Sequence, residues 1–341
     1  MNHPPHPLRT VLGPLSPTGI RGPVLAHEHL ALDLDRTGHR ELDGDRDLDG
    51  DRTRTRTRTR DRDRAAVLDP AAHGPQITRE LTALREEFGL ALVVELTCRG
   101  MGRDAAALAR ISAASGVAVI AATGWYYEPF HPEEIGDASV ERLAGTLIRE
   151  INGGIGTSGI RPGVIGEVGS HGDTPSEPET RSLLAAARAA VTTGLSVSTH
   201  AQLGRGGLAQ LDLLTGAGLA PHRIAIGHQD LLDDPSVHRE LAASGAYVAF
   251  DTVGKDSYQS DTTRLRLLVG LIEAGYADRA LLSCDISRHG YLESEGGQGY
   301  GHLFRSFLKE ARAAGVDEDL IDLMTRRNPV RFLTGRTTEE A

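Results

Sequence analysis

The feature that most constrains this chain is a repeated alternation of short apolar runs with longer amphipathic segments rich in Ala, Leu and Arg. Such an alternation is typical of parallel strands joined by helices. Eight apolar runs occur, and a chain of 341 residues is long enough to hold eight such units in one domain. We therefore predict an α/β fold, a (β/α)8 TIM barrel, as a single hydrolase domain over residues 1–341.

The predicted elements extend over most of the chain. Strands are expected at 23–27, 90–97, 117–123, 163–168, 195–200, 223–228, 247–251 and 280–285, and helices at 76–88, 103–115, 137–151, 177–193, 206–217, 235–244, 261–275, 302–314 and 317–327. An open doubly wound sheet is the alternative fold. It would need a glycine-rich phosphate loop after its first strand, where this sequence has His27, Glu28, His29 and Leu30 instead.

Residues 36–64 interrupt the alternation with a low-complexity stretch of Arg, Asp, Thr, Gly and Leu, which we interpret as an insertion after the first strand. Its seven arginines between Arg52 and Arg64 could bind a polyanion, but the interleaved aspartates favour a solvated, mobile loop. We predict no catalytic role for this insertion, although its position could reshape the entrance to the barrel.

Polar residues lie at the carboxyl ends of the predicted strands, which is where enzymes of this fold place their chemistry. They are His29, Glu95, Thr123, Glu167, His200, His228, Asp251 and Asp285. His27 and His29 are two residues apart on a strand, so both rings are expected to face the inside of the barrel. Each of these residues alone would more often be a satisfied core group or half of a salt bridge.

Together, four histidines and two carboxylates at one mouth indicate metal binding. Burying all of them without partners would be costly, whereas divalent cations would satisfy them jointly. We predict two divalent metal ions, with Glu167 able to bridge them through its two oxygens. Zinc is the first choice, and the same ligands accept manganese, iron or cobalt. The predicted ligands are His27, His29, Glu167, His200, His228 and Asp285.

The order of these motifs resembles the phosphotriesterase-related family of the amidohydrolase superfamily, over roughly residues 10–333. The matching segments are 27–29, 123–130, 166–169, 199–200, 227–230, 250–255, 282–285, 300–302 and 328–331. Many members of the family bridge their metals with a carbamylated lysine. Here Glu167 takes that position, as in a subset of the family, so carbon dioxide should not be needed to assemble the centre.

The resemblance implies a division of the ligands and a mechanism. His27, His29 and Asp285 would bind the more buried metal, while His200 and His228 would bind the more exposed one. A bridging hydroxide would attack the substrate, and Asp285 would be the catalytic residue that accepts its proton. The expected reaction is hydrolysis of a carboxylic ester, lactone or amide. The alternatives are a phosphotriesterase or other phosphoester hydrolase and, from another class, a non-catalytic metal- or ligand-binding barrel.

Three loops at the predicted mouth offer contacts to a small-molecule substrate. Trp125, Tyr126 and Tyr127 follow the third strand and could form an apolar wall, although such aromatic clusters are about as often simple packing. Lys255 follows the seventh strand and Arg288 the eighth. A cation at either position would suit a carboxylate or phosphate on the substrate.

Charge and cysteine content exclude several classes of partner. A formal net charge of -10 argues against a surface for nucleic acid or an anionic membrane. The sequence has no apolar stretch of about 20 residues that could span a bilayer. Two cysteines, Cys98 and Cys284, suit a reduced compartment as free thiols, so we expect a cytoplasmic protein. The oligomeric state is left open, a homodimer included.

Overall fold

A computed structural model of the chain describes residues 7–34 and 66–336. The insertion predicted at 36–64 lies outside the described residues. Within them, no helix combines the length and apolar character needed to cross a lipid bilayer.

Eight parallel strands form the barrel, in the order of the sequence, which confirms the predicted (β/α)8 fold. Each of these strands pairs in parallel with the next one in the set. Two short antiparallel pairs add four further strands to the described part of the chain. In chain order the strands are β1 Leu8–Thr10, β2 Gly13–Leu15, β3 Val24–Glu28, β4 Leu32–Asp33, β5 Val67–Leu68, β6 Leu92–Glu95, β7 Ala118–Thr123, β8 Val164–Ser170, β9 Val197–Ala201, β10 Ile224–Ile226, β11 Tyr247–Phe250 and β12 Ala280–Leu282. The barrel consists of β3 and β6 to β12, and the two antiparallel pairs are the hairpin β1–β2 and the pair β4–β5.

Helices between the strands form the outer layer. They are α1 Pro70–Phe88, α2 Ala105–Ser115, α3 Val140–Gly153, α4 Glu177–Thr193, α5 Gly207–Gly216, α6 Pro235–Ala243, α7 Asp261–Glu273, α8 Leu308–Ala313, α9 Glu318–Asp322 and α10 Asn328–Thr334, with π-helical turns at Leu303–Phe307 and Leu323–Arg327. Ser or Asp side chains cap most of the longer helices by accepting backbone N–H groups. In α4, for example, Ser176 and Glu179 form a capping box.

Two kinds of predicted boundary are wrong. Helix α1 begins at Pro70 rather than at 76, because Asp69 accepts the N–H of Ala71 and proline at the first helical position loses no helical hydrogen bond. Strands β10 and β12 end before His228 and Asp285, which we had placed inside them. Both residues have positive φ angles, of 58° and 48°, which no extended strand can contain.

The core has two parts that follow the alternation of the strands. Residues such as Val24, Leu92 and Ile120 point into the barrel and form one buried cluster. Their neighbours Leu25, Val93 and Val119 point outward and pack against the helices. Residues of the β1–β2 hairpin and of α10, including Leu8 and Phe332, join the inner cluster at the amino-terminal end of the barrel strands. The barrel is therefore packed at one end, and its polar residues gather at the other.

Candidate metal centre

All six predicted ligands meet at the carboxyl-terminal mouth of the barrel. His27, Glu167 and His200 lie on β3, β8 and β9, while the other three follow the ends of their strands. All six residues are buried, with Asp285 the most exposed at 8%. The side chains fall into three overlapping groups whose potential ligand atoms lie within 4.8 Å of one another. These groups are His27, His228 and Asp285; His27, His29 and Glu167; and Glu167, His200 and His228.

Irregularities in two strands turn the ligands inward. Val24 points into the barrel, so strict alternation would direct His27 outward. The pairing of β3 with β6 shifts register between Leu25 and Glu28, which reverses the direction of the residues that follow. The pairing of β8 with β9 has a similar register shift between Ile165 and Val168, and Glu167 lies within that segment. The predicted pair of inward-facing histidines therefore depends on a bulge that the sequence pattern does not reveal.

Glu167 lies at the middle of the centre. Its Oε1 is 3.3 Å from His29 Nε2, and its Oε2 is 3.1 Å from His200 Nδ1 and 3.6 Å from His228 Nε2. The same Oε2 is 3.6 Å from His27 Nε2. The two oxygens thus face different histidines, as a carboxylate shared between two cations requires.

Two features of the donor atoms are consistent with cation binding. Among the described residues, His27 Nε2 is buried without a hydrogen-bond partner. In addition, His228 Nε2 lies 2.8 Å from His200 Nδ1, so two imidazole nitrogens face each other. Divalent ions such as zinc take imidazole nitrogen and carboxylate oxygen together. The set of donors present therefore matches what two such ions need.

Side chains behind the histidines fix the orientation of their rings. Asp251 accepts from His27 Nδ1 at 2.7 Å through one oxygen and from His228 Nδ1 at 2.9 Å through the other. Thr97 Oγ1 lies 2.9 Å from His29 Nδ1 and donates to Glu95. These contacts leave the Nε2 atoms of all three histidines directed at the centre, as partners behind metal-binding histidines commonly do. The sequence indicated Asp251 and Glu95 only as strand-end polar residues, and it gave no sign of Thr97.

The carboxylates of the centre raise the pKa values of His29 and His228. Burial alone would lower the pKa of His29, but hydrogen bonds and charge interactions with Asp285 and Glu167 raise it to about 9. Burial opposes the same change at His228, where Asp251 and Glu167 raise the pKa to about 10. Burial lowers the pKa of His200. At neutral pH the metal-free centre therefore holds protonated imidazoles, which must lose their protons before they can bind a cation.

This charge pattern predicts how the metal-free protein responds to alkaline pH. A raised histidine pKa stabilises the fold below the unfolded value of 6.5, and the contribution is lost as pH rises through about 9 to 10. We expect the melting temperature of chelator-treated protein, measured by calorimetry, to fall between pH 7 and pH 10. Metal-loaded protein, whose histidines are already neutral, is the control and should change less. An equal fall of the melting temperature in both forms would contradict the raised pKa values of His29 and His228.

The aromatic residues after β7 occupy two different environments. Tyr126 and Tyr127 contact His200, with ring centroids 4.6 Å and 5.0 Å away, and the Tyr127 ring is parallel to the imidazole. Trp125 is fully buried, and its Nε1 donates to Glu134 at 2.8 Å. The predicted substrate contact by Trp125 is therefore corrected, because a side chain with no exposed surface in the core cannot reach a substrate.

The two predicted cations lie at the ring of Tyr291, and one of them pairs with Asp285. Lys255 is buried, and its Nζ forms an ion pair with Asp285 and a 3.3 Å contact with Ser287. Burial opposes the charge, but Asp285 and Tyr291 raise the pKa of Lys255, so the side chain stays protonated. Lys255 and Arg288 both lie over the Tyr291 ring, at 5.3 Å and 5.1 Å from its centroid. Two positive charges thus lie at one aromatic ring, and that of Lys255 is paired with Asp285.

Comparisons with known proteins point in one direction. The family model of the phosphotriesterase family matches residues 6–333. The chain is 37% identical over 244 residues to the phosphotriesterase homology protein of Escherichia coli (strain K12), covering 72% of this chain and 84% of that protein. It is 29% identical over 349 residues to the N-acetyltaurine hydrolase of Danio rerio, covering 96% and 97%. Among solved structures, a mutant of a phosphotriesterase-like lactonase from Deinococcus radiodurans matches with a TM-score of 0.79 and 31% identity, over 96% of this chain and 99% of that one.

Proposed function

This chain belongs to the phosphotriesterase family and is a hydrolase, and from that premise we propose that it uses two divalent metal ions to cleave a carboxylic ester, lactone or amide in a small anionic substrate. The observation that carries the proposal is the position of Glu167, with each oxygen facing different histidines of a buried cluster. His27, His29 and Asp285 would hold one ion, and His200 and His228 the other. Bound ions would supply a water molecule of lowered pKa and would polarise the substrate oxygen.

In this proposal Asp285 would accept the proton of the attacking water. Its Oδ1 lies 3.2 Å from His29 Nε2, and its other oxygen pairs with Lys255. Burial would raise the pKa of Asp285, but Lys255, His29 and His27 lower it well below its usual range. The carboxylate is therefore ionised at neutral pH, and it would take a proton from the attacking water and pass it on to the leaving group or to solvent.

Lys255 and Arg288 support a substrate with a negative charge. Both cations lie over the ring of Tyr291, and Lys255 also pairs with Asp285. The relative named N-acetyltaurine hydrolase acts, by its name, on an amide whose amine portion carries a sulfonate. The structural neighbour from Deinococcus radiodurans is named a lactonase, and a lactonase hydrolyses cyclic esters. Its identity to this chain, 31%, is similar to the 29% of the N-acetyltaurine hydrolase. We propose an acyl substrate whose anionic group contacts Arg288.

The second candidate is hydrolysis of a phosphoester. The observation in its favour is the match to a family named for phosphotriesterase activity. A phosphoryl oxygen could occupy the same position as a carbonyl oxygen, so the arrangement of ligands does not separate the two reactions. Only a comparison of substrates distinguishes them.

A panel of substrates tests the proposed function. Purified protein loaded with zinc or manganese should hydrolyse at least one member of a set of lactones, N-acyl amino acids, N-acyl aminosulfonates and aryl esters. Chelation should abolish the turnover, and adding metal back should restore it. Turnover of phosphotriesters alone would favour the second candidate. Metal-independent turnover would contradict the proposed mechanism.

Replacing Arg288 tests the charge of the substrate. We expect Arg288→Met to raise KM for an anionic substrate by about 10- to 100-fold, because a charge-assisted hydrogen bond contributes that much to binding. KM for a neutral aryl ester should change by less than about threefold. Arg266→Met is the matched control, since Arg266 on α7 is half exposed and pairs with Asp233 in the loop before α6. Equal effects of Arg288→Met on both substrates would refute an anion contact.

A further inference from the structure

We propose that Glu28 is a positioning residue that closes the barrel and holds the turn that presents Asp285. Glu28 is the last residue of β3 and lies between the predicted ligands His27 and His29, and no role was predicted for it from the sequence. Its side chain has no exposed surface. The consequence for turnover rests on the proposed function of Asp285, whereas the structural role of the contact does not.

The Glu28 carboxylate accepts hydrogen bonds from the turn that follows β12, across the seam where the first and last barrel strands meet. Its Oε1 accepts from Ser283 Oγ at 2.7 Å and from the N–H of Cys284 at 2.8 Å. Its Oε2 accepts from the N–H of Ile286 at 2.7 Å. The two backbone donors belong to the residues immediately before and after Asp285. Glu28 therefore holds the turn from both sides of the catalytic residue.

The turn bonds to the end of β11 through Ser283, but on the side of β3 it is not part of a strand ladder. Strand β12 ends at Leu282, and within the described residues β3 and β12, the first and last barrel strands, form no ladder with each other. The seam is instead closed by individual contacts. Asp285 N donates to His27 O at 3.2 Å, and His27 N donates to Ser283 Oγ at 3.0 Å. Glu28 adds three contacts to these two and is the main connection across the gap.

The backbone of the turn explains why such a contact is needed. Asp285 has a φ of 48°, a conformation that costs free energy for a residue with a side chain. Such a residue keeps its conformation only when the surroundings determine it. Bonds to the N–H groups on either side supply that constraint. They direct the Asp285 carboxylate to within 3.2 Å of His29 Nε2.

A carboxylate suits this position better than an amide. The contacts require an acceptor at both oxygens, and glutamate accepts at both. In a glutamine, one of the two atoms would be an NH2 group facing an N–H donor or a hydroxyl. One side of the turn would then be released while the size of the side chain stayed the same.

The main test compares Glu28→Gln with Glu80→Gln in the full chain. Glu80 is also a buried carboxylate that accepts two backbone N–H groups, from Glu293 and Tyr300, but it does not flank Asp285. We expect Glu28→Gln to lower kcat by about 10- to 100-fold with KM changed by less than threefold, as is usual for residues that orient ligands. Glu80→Gln should leave activity per folded molecule within threefold. Equal losses in the two variants would overturn the proposal.

A double variant shows whether Glu28 acts through Asp285. If it does, adding Glu28→Gln to an Asp285→Asn protein should lower kcat by less than about twofold more, because residues that act as a unit are not additive. A further loss of the full 10- to 100-fold would show an independent role and overturn the proposal.

Hydrogen exchange gives a readout that needs no activity and no metal. In metal-free protein, the segment containing Cys284 and Ile286 should exchange at least about tenfold faster in Glu28→Gln than in wild type, and Glu80→Gln should leave it unchanged. Unchanged exchange in Glu28→Gln would overturn the contact even if the hydrolase function holds. Faster exchange in a protein without hydrolysis would reject the proposed function and keep the contact. If Glu28→Gln does not fold, Ser283→Ala can replace it. This variant removes one donor to Glu28 and should also speed exchange in the same segment, but by a smaller factor.

Discussion

Replacing Asp285 by asparagine should reduce kcat by about 100- to 10,000-fold while the metal ions remain bound. Asparagine keeps an oxygen that can serve as a ligand, but it cannot accept the proton of the attacking water. Asp285 is ionised at neutral pH, since Lys255, His29 and His27 hold its pKa well below the usual range. Steady-state kinetics with the best substrate of the panel, together with metal analysis, measures the effect.

A charge-matched variant controls for this experiment. Asp278→Asn removes a carboxylate that pairs with Arg279 and lies outside the centre, so kcat should stay within about twofold of wild type. If Asp285→Asn retained more than a tenth of the wild-type kcat with both metals in place, Asp285 would not be the proton acceptor. Loss of the metals in the same variant would instead assign its main role to coordination.

Removing the carboxylate of Glu167 should have the second large effect. We expect Glu167→Ala to lower the metal content from two ions per chain to one or fewer and to reduce turnover at least 100-fold. The reason is geometric, since Oε1 faces His29 and Oε2 faces His200 and His228. Without the carboxylate, these imidazoles lose the only negative group that all of them approach among the described residues. Inductively coupled plasma mass spectrometry of the purified variant gives the stoichiometry.

Glu179→Ala is a suitable comparison for this variant. Glu179 is equally buried, but it is not one of the six ligands and accepts the backbone N–H groups of Glu128, His171 and Ser176. Its replacement should lower the melting temperature and leave two ions bound. A Glu167→Ala protein that still held both ions would remove Glu167 from its bridging role.

The fold could be predicted because its signal is repeated eight times. Each buried strand contributes one apolar run, and each helix an amphipathic segment, so errors at individual boundaries do not change the architecture. The errors occurred where a local feature overrides the average pattern. Strand β12 ends early because of the positive φ of Asp285, and α1 starts early because of the cap at Asp69.

The composition of the site was also visible in the sequence, because four histidines and two carboxylates follow strand ends that must converge. Its fine geometry was not visible. The bulge that turns His27 inward and the contact of Asp251 with two rings depend on the closed barrel, which brings residues more than 200 positions apart into contact. The burial of Trp125 depends on packing against Glu134, which no periodicity encodes.

The most direct test of the account is the metal content of folded, purified protein. After growth with zinc or manganese and removal of loosely bound ions, we predict close to two divalent ions per chain. Variants of His29 and of His200 should each lower that number, because they lie on different sides of Glu167. A correctly folded protein that retained only traces of any transition metal after incubation with zinc, manganese, iron and cobalt would contradict the proposed centre.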